Sequence, residues 1–118
     1  MVLGRIVRKA GYLASYVSNA SAAIAAISAV APDIVFTDMD MPEADGFELI
    51  NWLRRCSRSI PLVAMSGANK TISGQLGLAA RLGANATLSK PLLERDVLDA
   101  IALATGEQNT PWPGQRWS

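Results

Sequence analysis

Residues 32–50 read PDIVFTDMDMPEADGFELI, and this stretch decides the fold. Asp33 to Thr37 is a continuous, β-branched run closed by Asp38, the pattern of a strand covered on both faces of a parallel sheet. The acidic turn DMDMPEADG follows. Phe47, Ile50 and Leu53 then recur at helical spacing, which predicts a helix from about Gly46 to Arg55.

The same alternation repeats downstream. Pro61 to Met65 reads as a strand, and Thr71 to Leu82 as a helix weakened by Gly74 and Gly77, each costing about 1 kcal/mol relative to Ala. Gly83 stops that helix. Ala86 to Ser89 is a short strand, and Pro91 stands at a first helical position, with Leu92, Val97, Ile101 and Leu103 as an apolar face up to Gly106.

Upstream, Leu3, Ile6, Val7 and Ala10 form one helical stripe ended by Gly11. Leu13 to Val17 reads as a short strand. Asn19 caps a helix in which Ile24, Ile27 and Val30 recur at three-residue spacing before Pro32. A helix followed by four strand–helix units calls for an α/β fold, with a parallel sheet, helices on both faces and right-handed crossovers. Residues 1–106 make one domain; residues 107–118, with two prolines and two tryptophans, read as a flexible tail.

Composition narrows the chemistry. The chain has 118 residues, half of them apolar, and a net charge of +1. That balance argues against a protein that grips nucleic acid through phosphates. No histidine is present, so Ser–His and Cys–His catalysis and imidazole zinc sites are excluded. Cys56 is the single cysteine and reads as inert. Arg54, Arg55 and Arg58 suit a helix C-terminus, where the dipole favours positive charge. No stretch reads as a membrane span or a signal peptide, which points to the cytoplasm. Six of the ten carboxylates fall between Asp33 and Glu48, with no basic residue among them.

In an open parallel sheet, ligands gather at the carboxyl ends of the strands. Three such ends here carry Asp38, Ser66 and Lys90. Taken singly, these are a turn cap, a loop hydroxyl and a solvated charge. Together they can bind and transfer a phosphoryl group, with the carboxylate as nucleophile and the lysine and a metal neutralising phosphoryl oxygens.

The stretches PDIVFTDMDMPEADGFELI, IPLVAMSG and LGANATLSKP resemble the receiver domain of two-component response regulators, over roughly Val2 to Thr105. The resemblance implies a flavodoxin-like open sheet, Asp38 as phosphoacceptor, and Mg2+ held by Asp38 and the backbone carbonyl of Asp40. It also implies Ser66 as the switch hydroxyl, Lys90 as partner of the aspartyl phosphate, and a cis bond between Lys90 and Pro91. Implied partners are a sensor histidine kinase or phosphotransfer protein and a downstream protein target, with no nucleic acid and no membrane.

Two departures follow from that likeness. Receiver domains begin with a central apolar strand ending in an acidic pair that ligates Mg2+; here no acid precedes Asp33, and the chain begins within the first helix of the family pattern. Direct pairing of the flanking strands, use of the first segment as a strand, or a homodimer that exchanges elements would each restore the sheet; a fragment of a longer receiver is the fourth reading. Three positions before the lysine, an aromatic residue of the family is replaced by Thr87.

The expected function is a single-domain receiver module in phosphorelay signalling, not an enzyme, with Mg2+-dependent phosphorylation of Asp38 weakened or lost. The alternative is a receiver-like interaction module that works without phosphorylation. A third reading takes Asp38-Met39-Asp40 as the nucleophile motif of a haloacid-dehalogenase-type phosphatase. Its further acidic pair would have to be Asp96 and Asp99, which lie on the exposed side of an amphipathic helix.

Overall fold

A computed structural model describes residues 2–40, 45–56, 59–67 and 75–106. Its elements are α1 (Val2–Lys9), α2 (Ala20–Ala29), β1 (Val35–Asp38), α3 (Asp45–Cys56), β2 (Leu62–Ser66), α4 (Gln75–Leu82), β3 (Ala86–Ser89) and α5 (Glu94–Thr105). The three strands are parallel in the order β1-β2-β3. Val35 pairs with Leu62 and Asp38 with Met65; Met65 pairs with Leu88 and Ser66 with Ser89. All three carboxyl ends therefore lie along one edge of the sheet.

Alternation along β2 sorts the core into two layers. Val63 and Met65 pack with Ile6 and Val7 of α1, Ala86 and Leu88 of β3, and Val97, Ala100 and Ile101 of α5. Leu62 and Ala64 pack on the opposite face with Ile50 and Leu53 of α3 and Ala79 of α4. Every residue of β2 is buried, whereas only Thr37 is buried in β1. The strand covered on both faces is β2 because it is central; β1 is an edge.

The expected strand from Leu13 to Val17 does not form. Leu13 is fully exposed, Tyr16 is exposed and Val17 is exposed, and the segment has no strand assignment. A strand needs a ladder partner, and β1 is hydrogen-bonded to β2 alone among the described residues. Neither direct pairing with this segment nor conversion of α1 into a strand restores a fourth strand.

Two helix faces also differ from the simple periodicity. Asn19 caps α2 as expected, its Oδ1 accepting from the Ala22 amide at 2.8 Å. The buried residues of α2 are Ala20 and Ala23, while Val30 is exposed. Val30 is the C-cap of α2, with extended backbone (φ −142°, ψ 116°), so it leaves the helix before it can join the face of Ala20 and Ala23. In α5 the helix begins at Glu94, not at Pro91. Its buried face is Val97, Ala100 and Ile101, with Leu103 exposed, since Leu103 lies six residues beyond Val97 and not three or four. The expected tail, Arg58 and the beginning of the fourth helix, Thr71 to Gly74, lie outside the described residues.

Arg54 does more than complement a helix dipole. Its Nε donates to the Gly83 carbonyl at 2.9 Å and its Nη2 to Asn85 Oδ1 at 2.7 Å. Asn85 Oδ1 also accepts from the Leu62 amide at 2.8 Å, tying α3, the turn before β3 and the start of β2 together. Gly83 has a φ of +129°, and a Cβ there would stand 2.7 Å from Arg54 Cγ. Gly83→Ala should therefore destabilise the fold by about 1–3 kcal/mol, read as a lower urea midpoint.

Thr37 supplies a contrasting case. It is 3% exposed and its hydroxyl has no hydrogen-bond partner among the described residues. Thr37→Val keeps the shape and removes the buried polar atom, so it should raise stability by about 1 kcal/mol in the same melt.

Candidate functional site

The site forms where β1, β2 and β3 end together. Asp38 is the last residue of β1, Ser66 the last of β2, and Lys90 follows β3. The Lys90 amide donates to the Ser66 carbonyl at 2.7 Å, and the Met39 amide to the Met65 carbonyl at 2.8 Å. These bonds extend the ladder one residue past the strands and hold the three ends in register. The Lys90–Pro91 peptide bond is cis, as the resemblance implied.

Lys90 is the cation of the site. Its Nζ donates to Asp38 Oδ2 at 2.7 Å and lies 3.4 Å from Asp40 Oδ2. The hydrogen bond to Asp38 raises the ammonium pKa above its ordinary value; burial opposes this, and the charges of Asp38 and Asp40 reinforce it. Lys90 thus remains charged throughout the neutral range.

Asp38 combines two of its candidate roles. Its Oδ1 accepts from the Asp40 amide at 2.8 Å, a side-chain-to-backbone bond two residues on that shapes the turn. Its Oδ2 meets Lys90. The start of α3 closes over this turn. At Gly46 a Cβ would stand 2.7 Å from Met39 Sδ and 3.0 Å from the Asp38 carbonyl, so glycine permits that approach.

Asp40 contributes more than a backbone carbonyl. Its Oδ1 accepts from Ser66 Oγ at 2.7 Å, and its Oδ2 from the Gly67 amide at 2.8 Å. Burial pushes the Asp40 carboxyl pKa up, but the bonds from Ser66, Gly67 and Lys90, with the lysine charge, outweigh it and hold the pKa below the ordinary value. Ser66 is fully buried, so its hydroxyl requires an acceptor. Sequence spacing points to Asp38, Ser66, Lys90 and Asp40. It does not reveal the direction of the Asp40 side chain or the part played by the Gly67 amide; the Ser-Gly step after an apolar strand is the only available signal.

Among the described residues the donor set for a divalent cation is incomplete: no group of three acidic, cysteine or histidine side chains is placed to hold a metal. All four carboxylate oxygens of Asp38 and Asp40 accept hydrogen bonds from protein donors. Mg2+ takes few carboxylates but needs near-octahedral oxygen ligation, so an ion here would depend on water and ligand oxygens for most of its shell.

Comparisons with known proteins agree with this arrangement. The chain is 30% identical over 99 residues to the sensory transduction protein RegX3 of Mycobacterium tuberculosis, covering 84% of this chain and 42% of that protein. It thus spans less than half the length of that curated relative. The crystal structure of the receiver domain of NtrX from Brucella abortus matches with a TM-score of 0.80 at 24% identity, over 89% of this chain and 88% of that one. A response regulator receiver domain protein from Clostridium thermocellum matches at 0.78 and 20% identity, over 92% and 86%. These likenesses show the flavodoxin-like fold, here with three strands among the described residues. The profile of the response regulator receiver domain matches residues 1–102, and that span takes in all three strand ends; the chain belongs to the response regulator receiver domain family of two-component signalling.

Proposed function

We propose that this chain is a receiver module in which Asp38 accepts a phosphoryl group, and that its Mg2+-dependent reaction is weakened relative to a receiver with a full acidic set. The observation that carries the reading is the 2.7 Å pairing of Lys90 Nζ with Asp38 Oδ2 at the shared carboxyl edge of the sheet. A carboxylate held by an ammonium is a nucleophile whose approach to an anionic phosphorus is eased.

In the proposed reaction an Asp38 carboxylate oxygen attacks the phosphorus of a phosphohistidine. The P–N bond breaks, imidazole leaves with the electron pair, and Asp38 becomes an acyl phosphate. Lys90 neutralises charge on the transferred group, and Ser66 and the Gly67 amide supply donors to its oxygens. Asp38 and the Asp40 carbonyl would hold Mg2+, which when bound adds further charge neutralisation.

The partners proposed are a sensor histidine kinase or phosphotransfer protein and a downstream protein target. A homodimer that exchanges elements is the proposed remedy for the open edge of β1. Among the described residues no helix is long and apolar enough to cross a membrane; a cytoplasmic site of action, without nucleic acid, fits the near-neutral charge. The domain is proposed to span residues 1–106.

Incubation with acetyl phosphate, with and without Mg2+, followed by intact-protein mass measurement tests this function. A single phosphoryl adduct of low occupancy is expected in the wild type and none in Asp38→Ala. Absence of any adduct from a folded sample would overturn the phosphoacceptor assignment.

A further inference from the structure

Three donors at the sheet edge already surround an anion, and the anion belongs to the protein. Ser66 Oγ and the Gly67 amide each donate to one oxygen of the Asp40 carboxylate, at 2.7 and 2.8 Å. Lys90 Nζ stands 3.4 Å from the second oxygen and 2.7 Å from Asp38. A hydroxyl, a backbone amide and an ammonium converging on paired oxygens are the donor set that a phosphoryl group would recruit.

The fit is tight on the amide side. A Cβ at position 67 would lie 3.3 Å from Asp40 Oδ2, so the carboxylate rests directly against the Gly67 backbone. Ser66 is fully buried, and its hydroxyl would lose an acceptor if Asp40 swung away. A phosphoryl group carries about −1.5 to −2 charges at neutral pH. The Ser66 hydroxyl and the Gly67 amide have one hydrogen each, so a phosphoryl oxygen takes them only by displacing the Asp40 carboxylate; Lys90, with three, is divided between the anions.

We propose that Asp40 is a built-in occupant of the phosphoryl-oxygen cradle: its carboxylate competes with the phosphoryl group for Ser66, Gly67 and Lys90 and keeps them in an anion-bound arrangement while Asp38 is unmodified. The inference rests on the proposed phosphoryl site for the identity of the competing anion. Two consequences follow. Phosphorylation of Asp38 must displace Asp40, and the Ser66 hydroxyl is already drawn to an anion before any signal arrives.

The test is a titration of isotopically labelled protein with inorganic phosphate at fixed ionic strength, followed at the Gly67 amide by NMR. Asp40→Ala should bind phosphate about tenfold or more tightly than wild type, because a like charge leaves and three donors are released. Adding Ser66→Ala to Asp40→Ala should remove most of that gain. Asp38→Ala deletes a nearby charge and frees one bond of Lys90 but leaves Ser66 and Gly67 on the Asp40 carboxylate, so its gain should be clearly smaller.

Equal phosphate affinity in wild type and Asp40→Ala would overturn the proposal. So would an equal gain from Asp38→Ala, which would mark a general charge effect. Should Asp40→Ala fail to fold, Asp40→Asn keeps the shape and removes the charge; an affinity unchanged from wild type would overturn the idea as well. The titration does not require Asp38 to react. A failed titration beside a formed acyl phosphate therefore counts against Asp40 alone, and the converse pair counts against the phosphoacceptor assignment alone.

Discussion

Ile101→Ala should remove about 2–5 kcal/mol of stability in a urea melt, whereas Leu13→Ala should change it by no more than about 0.5 kcal/mol. Ile101 is 1% exposed and lies among Val97, Ala100, Val63 and the α1 residues Ile6 and Val7. Truncation there opens a cavity between α5, α1 and the sheet that its neighbours can only partly fill. A small domain has roughly 5–15 kcal/mol in all, and among the described residues three strands carry the sheet. The variant should accordingly be close to unfolding at ambient temperature. Leu13 is fully exposed and, among the described residues, belongs to neither core cluster. A large loss at Leu13 would show that residues 13–17 join a sheet in solution, within one chain or between two.

That pair of residues also marks how far the sequence could be read. The strands that lead to Asp38, Ser66 and Lys90 were legible because each is a short apolar run cut off by a polar side chain at the end where a parallel sheet gathers chemistry. Local pattern sufficed for β2, β3 and the core of α3. Leu13 to Val17 is also largely apolar but has no ladder partner among the described residues, and a strand is defined by its partner, not by its own residues. The clasp made by Arg54 was equally hidden. It joins residues about thirty positions apart, and a basic residue near a helix C-terminus has a sufficient local explanation that conceals the distant one. Asp40 shows the same limit within the site. The spacing of Asp38-Met39-Asp40 locates two carboxylates, but only the folded turn sends the second towards Ser66 and Gly67.

Lys90→Ala should reduce the rate of acyl phosphate formation by about 10²–10³-fold, the usual effect of deleting one preorganised group that faces developing charge. It should also destabilise the unmodified protein at neutral pH, because Asp38 and Asp40 then face each other without the cation that binds both. The pH dependence follows from the direction of the shifts. Asp40 has a folded pKa below its ordinary 3.8, so its contribution is present above that value and fades as pH falls through the folded pKa. Lys90 has a folded pKa above its ordinary 10.5, so its contribution is present below that value and fades as pH rises through the folded pKa. The two windows overlap across the whole neutral range. Urea melts of wild type and Lys90→Ala should consequently diverge most between the two limits and converge at strongly acid pH, where the carboxylates are protonated. Both side chains are about one-third exposed, so solvent screening keeps this stability difference modest beside the rate effect. Lys90→Arg retains the charge but cannot place a compact ammonium between two carboxylates; it should recover most of the stability and little of the rate. Full recovery of both by arginine would mean that the site asks only for positive charge, and the close Lys90–Asp38 pairing would lose its place in the mechanism.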